Sequence, residues 1–157
     1  MRIIDNFLDK SDYDHINKTF HLSHFPWYFM PFKVYEGDDK YQFYHLFVSK
    51  GKVLSKFFEI LHPILKKLSV KQIIRIKANL TLKQKEHIRS DMHIDYKDCK
   101  TAIFYLNTNN GYTLFDKGDK IPSQENRVVE FDSNLKHCAV DHTDVKYRIV
   151  INFNYLK

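Results

Sequence analysis

Residues 90–112 read SDMHIDYKDCKTAIFYLNTNNGY. In an extended chain, side chains two residues apart share a face, so His93 and Asp95 project together while Ile94 points away. An imidazole and a carboxylate side by side form part of a metal site. The apolar run TAIFYLN behind them predicts a strand. Asn110-Gly111, set between that run and YTLF, predicts a β-hairpin, because both residues tolerate positive φ.

Working outward, the texture after residue 70 is that of short strands. QIIRIKANL, MHID, TAIFYLN, YTLF, RVVEF, HCAV and YRIVINFNYL alternate with the polar stretches TLKQKEHIRSD and DKGDKIPSQEN. Before residue 70 the periodicity is helical. FLDKSDYDHINKTFHL predicts a first helix, with Ser11 as N-cap and Asp14 three residues on. GKVLSKFFEILHPILKKLS carries apolar residues at 53, 54, 57, 58, 61, 64, 65 and 68, one helical stripe that belongs to the core and that Pro63 should kink or split. The aromatic stretch FPWYFMPF, residues 25–32, holds Pro26 and Pro31, which exclude a regular helix or a central strand. It reads as an aromatic plug over the core or as a ligand-stacking surface. Helices followed by a series of short strands predict α+β architecture: an antiparallel sandwich or barrel covered by helices on one side.

Bulk properties are consistent with that fold. The 157 residues suffice for one domain with a real core, and 43% apolar and 15% aromatic residues speak against disorder. A net charge of +6 attracts polyanions, so nucleic acid is a conceivable partner. It is not the favoured one, because the lysines are scattered and the densest cluster, PILKKLSVKQIIRIK, reads as the solvated faces of a helix and a strand. The N-terminal MRIIDNFLDK lacks the apolar core of a signal peptide, and no apolar run reaches membrane-spanning length. Two cysteines, Cys99 and Cys138, are too few for a disulfide scaffold and read as free thiols in a reducing cytoplasm.

The partial site needs another ligand, and His137, at the start of HCAV, is the leading candidate. Two histidines and one carboxylate on one side of an ion form the facial triad of non-haem Fe(II) oxygenases, which leaves coordination positions open. His142, in the polar turn DHTD, and His87, in a charged loop, are rivals that read as solvated. Cys138 reads as a small buried group, and Cys99 has no base to activate it. Arg148 lies inside the apolar strand YRIVINF, where a buried guanidinium is costly unless a carboxylate meets it. That carboxylate is either a ligand's, gripped by two parallel hydrogen bonds, or a structural partner such as Asp144 or Glu130.

Taken together, HID, KTAIFYLNTNNGYTLF, NRVVEFDSNLKH and YRIVINF resemble the catalytic half of the 2-oxoglutarate- and Fe(II)-dependent dioxygenases, in particular the prolyl-4-hydroxylase-like branch. The resemblance spans residues 72–157, and IIDNFL…FPWYF resembles, more loosely, small bacterial and phage members. It implies one domain over 1–157: a helical and aromatic part, 1–70, and a double-stranded β-helix (jelly-roll) catalytic core, 71–157. It further implies Fe(II) held by His93, Asp95 and His137, the distal carboxylate of 2-oxoglutarate bound by Arg148 and by the hydroxyl of Tyr105, and dioxygen as oxidant, with succinate formed. Tyr105 is otherwise a core aromatic. Asn110-Gly111 replaces the Gly-Gly pair of many relatives. Asn79 stands where the family often has a tyrosine, and Asn152 shares the inward face of Arg148, as pocket lining or as structure. The substrate is left open among a peptide, an amino acid, a nucleobase and a small metabolite, facing loops 24–45, 81–92 and 116–126. Oligomeric state has no sequence signal. The alternatives are a non-catalytic jelly-roll binding module and a basic nucleic-acid-binding domain without metal; a zinc hydrolase would leave Arg148 and Tyr105 without a purpose.

Overall fold

Two antiparallel sheets face each other in the computed structural model, which describes residues 1–157. The chain runs through β1 (Arg2–Ile4), α1 (Lys10–Phe20), β2 (Tyr28–Met30), β3 (Gln42–Ser49) and β4 (Lys52–Val53). A 3-10 turn (Phe58–Leu61) leads into α2 (His62–Leu68), followed by β5 (Gln72–Leu82), β6 (Lys100–Tyr105), β7 (Tyr112–Phe115) and β8 (Lys120–Pro122). β9 (Arg127–Asp132), β10 (His137–Val140) and β11 (Tyr147–Leu156) complete it. The larger sheet has the order β1-β9-β6-β11-β5-β3-β2, with β4 on β3, and the smaller one the order β10-β7-β8. Residues 88–93 run beside β10 as an irregular fourth strand, bridged at Arg89–Val140 and His93–His137. This is a jelly roll with helices on one outer face, as the sequence predicts. No helix is long and apolar enough to cross a membrane.

Strand alternation divides the core in two. On β6, Ala102 and Phe104 face the helices and pack with Ile16 and Phe20 of α1, Leu61, and Ile64 and Leu68 of α2. Ile103 and Tyr105 face the smaller sheet and pack with Phe115, Val129, Phe131 and Val150. Each fully buried Phe, Leu or Ile contributes about 1.5–3 kcal/mol, so the two layers hold the large sheet from both sides. Cys99 and Cys138 are both free and buried.

Four details depart from the sequence pattern. α1 starts after Asp9, not at Ser11, and neither residue caps it through its side chain. Pro63 sits in the first turn of α2, where its missing N–H is one the helix leaves unpaired anyway, so it starts a helix instead of kinking one. The stripe from 53 to 68 is therefore not one helix; Val53 belongs to β4 and is exposed. The Asn110-Gly111 hairpin does not form: β6 pairs with β9 and β11, β7 pairs with β10 and β8, and residues 106–111 cross from one sheet to the other. Neither turn residue has positive φ. Gly111 is required for space instead, since a Cβ there would lie 2.9 Å from Asn109 Oδ1 and 3.0 Å from the Val140 carbonyl.

The first 70 residues supply strands as well as helices. β1 pairs with β9, and β3 lies between β2 and β5. β2, bounded by Pro26 and Pro31, is an edge strand, which is where proline-flanked strands belong. Phe25 and Trp27 pack into the core while Tyr28 and Phe29 are exposed, so the aromatic stretch is half plug and half surface.

Candidate active site

Between the sheets lies a cavity of about 370 Å³. Its floor is made by two neighbouring strands whose inward residues, Val150 apart, are polar. β5 presents Arg75, Lys77, Asn79 and Thr81, and β11 presents Arg148, Val150 and Asn152. Arg148 stands opposite Thr81, Val150 opposite Asn79, Asn152 opposite Lys77, and Asn154 opposite Arg75. His137 comes from β10, and Ser90, His93 and Asp95 from the irregular strand and the bend after it. Phe32, Lys33 and Val34 close one side. That loop is pinned by the buried Lys33–Asp141 ion pair, with Nζ 2.6 Å from Oδ2.

His93 and His137 are held together by reciprocal backbone hydrogen bonds of 3.0 Å, and their rings lie 5.0 Å apart. His93 Nδ1 is 2.9 Å from the Asp91 carbonyl, and His137 Nδ1 is 3.3 Å from that of Leu135. A carbonyl can only accept, so each Nδ1 is the donor, and Nε2 is the nitrogen turned toward a metal. Burial holds the His137 pKa below the usual histidine value, which keeps the imidazole neutral. Burial alone would raise the pKa of Asp95, but the Arg75 guanidinium is the main opposing influence and the carboxyl stays below its ordinary range. Arg75 Nη2 donates to Asp95 Oδ1 at 2.9 Å, and Asn154 Nδ2 donates to Oδ2 at 3.4 Å.

The donor set fits a divalent cation: two imidazoles whose Nε2 atoms make no hydrogen bond and one ionised carboxylate. His93 Nε2 is 3.8 Å from Asp95 Oδ1, within the roughly 4.2 Å that two donors at about 2.1 Å from one ion can span. As the side chains stand, with Asp95 turned into Arg75, no three His, Cys, Asp or Glu side chains close on a common point.

At the other end of the floor Arg148 is 3% exposed. Its Nε donates to Ser123 Oγ at 2.8 Å, and its guanidinium lies 5.8 Å from the centre of the Tyr105 ring. Neither structural partner expected from the sequence serves it. Glu130 is engaged by Arg2, Lys157 and Tyr155, and Asp144 accepts from the Asn110 N–H. Burial lowers the Arg148 pKa, so the cation is held at a cost; Asp141 offsets part of it through space but is paired with Lys33, and no carboxylate forms an ion pair with Arg148. Beside it, Thr81 Oγ1 and Asn79 Oδ1 are buried without a hydrogen-bond partner, as is Asn152 Oδ1 two rows along.

The structure brings His93, Asp95, His137, Arg148, Asn79 and Asn152 into one cavity. Tyr105 stands behind the wall: its hydroxyl donates to Thr113 Oγ1 at 2.7 Å, and Thr113 is the residue that reaches the cavity. His142 is not solvated; it is fully buried beside Gly111, outside the cavity. His87 lies at the surface with Nδ1 2.7 Å from the Asp141 carbonyl, also outside. Arg75, Lys77, Thr81, Thr113 and Ser123 escaped the sequence reading. For β5 the signal was present, since R-x-K-x-N-x-T alternates with Ile76, Ala78 and Leu80. The basic run taken for a solvated face is, on this strand, the cavity floor.

No protein-family model matches the chain, and no curated protein does. Its structural neighbours include a member of the 2OG-Fe(II) oxygenase family and prolyl hydroxylases. An oxidoreductase of that family from Burkholderia pseudomallei superposes with a TM-score of 0.75 at 12% identity, covering 98% of this chain and 84% of that one. A prolyl hydroxylase from Trichoplax adhaerens, solved with a fragment of the hypoxia inducible factor oxygen degradation domain, gives 0.68 at 14% identity, covering 98% and 82%. A Pseudomonas putida prolyl-4-hydroxylase gives 0.66 at 11% identity, covering 99% and 92%. At such identities the likeness is one of fold.

Proposed function

We propose that this chain is an oxygenase dependent on Fe(II) and 2-oxoglutarate. It would use dioxygen to hydroxylate a C–H bond of a substrate, one oxygen atom going to that carbon and the other to the succinate formed with loss of carbon dioxide. Arg148 carries the reading: a buried cation with no acid partner, in the same cavity as two imidazoles and a carboxylate. A structural arginine would have found its acid inside the fold; this one lacks only a ligand's carboxylate.

His93, Asp95 and His137 would hold the iron, the combination that suits non-haem Fe(II). When bound, the metal supplies the redox chemistry with dioxygen, which side chains cannot. The remaining work is done by the chain. The carbonyls of Asp91 and Leu135 hold the imidazoles in the tautomer that offers Nε2. Arg75 and Asn154 keep Asp95 ionised and fix its plane. At the far end Ser123 takes Arg148 Nε, leaving the guanidinium's terminal nitrogens for a carboxylate. Thr113 already accepts from Tyr105, so its own proton can be donated into the cavity, as can that of Thr81. Tyr105 thereby acts through Thr113 and through its ring under Arg148. Ile103 and Val150 give the intervening wall an apolar surface that sheds water. Asn79 and Asn152 offer acceptor oxygens to whatever lies between.

Anaerobic addition of Fe(II) and 2-oxoglutarate should produce a weak visible charge-transfer absorption that His93→Ala or Asp95→Ala removes. Under air the wild type should form succinate even without substrate. Well-folded protein that shows neither is not an oxygenase; absorption without succinate marks a binding module that keeps the pocket and turns nothing over.

A further inference from the structure

Four cationic side chains line the cavity: Lys33, Arg75, Lys77 and Arg148. Two are neutralised within the chain, Lys33 by Asp141 and Arg75 by Asp95. Arg148 is set aside for the co-substrate. Lys77 remains. Its ammonium makes neither an ion pair nor a hydrogen bond, and its nearest aromatic neighbour is Tyr44, whose ring centre is 5.3 Å from Nζ.

Its ammonium is directed away from the strand that carries Arg148. Arg148 is on β11, on one side of β5, and Lys77 reaches toward β3 on the other. Tyr44 is on β3, and its ring packs on Tyr28 of the edge strand β2, 5.8 Å away between centres. The smaller sheet has three strands and the irregular fourth, against seven on the main path of the larger one. The inward face of β5, β3 and β2 therefore extends past its cover. Lys77 lines the cavity on its β3 side, and Tyr44 and Tyr28, the latter 52% exposed, continue the same sheet face outward from it.

We propose that Lys77 is the recognition cation for the primary substrate, which is a small molecule bearing a carboxylate or phosphate, and that Tyr44 and Tyr28 carry the substrate's body. This rests on the oxygenase reading only in assigning Arg148 to the co-substrate. Charge supports it: with both internal pairs formed, the lining keeps two free cations, and a diacid at Arg148 leaves Lys77 unmet. Burial and the neighbouring Arg75 push the Lys77 pKa down to about 8, so an oxyanion there relieves a penalty the empty site bears.

The test is calorimetric titration of Mn(II)- and 2-oxoglutarate-loaded protein with benzoate and with phenyl phosphate, and with benzamide as the neutral control. Wild type should bind one or both anions with the co-substrate in place, and should ignore benzamide. Lys77→Met should weaken the anion by about tenfold or more, the share of one charged contact, and Lys77→Arg should restore most of it. Melting curves establish that both variants fold, and 2-oxoglutarate affinity should be unchanged in each. Stronger binding of one anion tells carboxylate from phosphate. The proposal is overturned if neither anion binds wild type, if Lys77→Met binds the anion as well as wild type, if the anion displaces 2-oxoglutarate, or if Lys77→Met loses 2-oxoglutarate. Should wild type fail to bind 2-oxoglutarate yet hold benzoate through Lys77, the oxygenase reading falls and the anion subsite stands.

Discussion

Replacing Lys77 with methionine should make the ligand-free protein more stable. Methionine keeps the length and apolar stem of lysine and removes the charge. The folded protein lowers the Lys77 pKa from 10.5 to about 8, first through burial and then through Arg75. At about 1.4 kcal/mol per pH unit that gap caps the penalty near 3 kcal/mol, and the partial exposure of Lys77 reduces it. Against it stands the loss of the contact with Tyr44, worth about 0.5–1 kcal/mol. The net gain is about 1–2 kcal/mol, or a rise in Tm of about 3–6 °C for a chain of this size. The pH dependence gives the result its signature. The folded pKa lies below the unfolded one, so between pH 8 and 10.5 the unfolded chain binds more protons and wild-type stability rises with pH. The penalty is complete below pH 8 and gone above 10.5, so the advantage of Lys77→Met should be full at pH 7 and nearly absent by about pH 10. Thermal melts of both proteins at several pH values measure this. A variant that melts lower than wild type at pH 7, or whose advantage does not change with pH, would refute the reasoning.

Other substitutions probe the rest of the site. Arg148→Met should weaken 2-oxoglutarate by about a hundredfold, as for a truncated buried charge partner, while leaving Mn(II) affinity intact by calorimetry. Asp95→Asn should abolish Mn(II) binding and flatten the acid limb of the stability curve. The folded pKa of Asp95 is depressed, so its contribution is present above the ordinary value of 3.8 and is lost as pH falls through the lower folded one; urea melts from pH 6 down to pH 3 report it. Gly111→Ala should cost about 1–3 kcal/mol in urea unfolding through overpacking, because the added Cβ would lie 2.9–3.1 Å from Asn109 Oδ1, the Val140 carbonyl and His142 Cβ.

Where the sequence was legible, a short-range rule was enough. The period of two predicts β6, β9, β10 and β11 to within a residue or two, and the same rule puts Arg148 and Asn152 on one face. His93 and Asp95 stay within 3.8 Å even though only His93 makes a bridge and Asp95 lies in a bend. What escaped the sequence depends on partners far along the chain. Asn110-Gly111 carries every local sign of a hairpin, but β6 already has β9 and β11 on its two edges and no free edge for β7. The basic residues of β5 look solvated until β11 is laid beside them and the smaller sheet closes over both. Tyr105 was placed on the right face but one layer too shallow, because nothing local shows that Thr113, eight residues on in the other sheet, stands in front of it.

The two free cations are held in ways that suit different tasks. Arg148 is anchored: Nε is bound to Ser123, the guanidinium lies over Tyr105, and Thr81 faces it across the strand pair. Such a group loses little freedom when a carboxylate arrives, and it fixes that carboxylate in one orientation. A partner common to every turnover is best met this way, since its far end must be set before the near end can be placed against the imidazoles. Lys77 has three freely rotating donors on a flexible stem, with the Tyr44 ring as its one neighbour of note and no hydrogen-bonded anchor. It can follow an anion whose distance from the reacting carbon differs from that of the co-substrate. Both cations stand on adjacent strands of one sheet, so the rigid end and the adaptable end share a floor while the imidazoles come from the opposite sheet. Closure of the two sheets is thus what turns separate binding groups into one site. The strands that complete the floor's edge, β2 and β3, come from the first 70 residues, so residues 71–157 alone would lack the wall on which the substrate is proposed to rest.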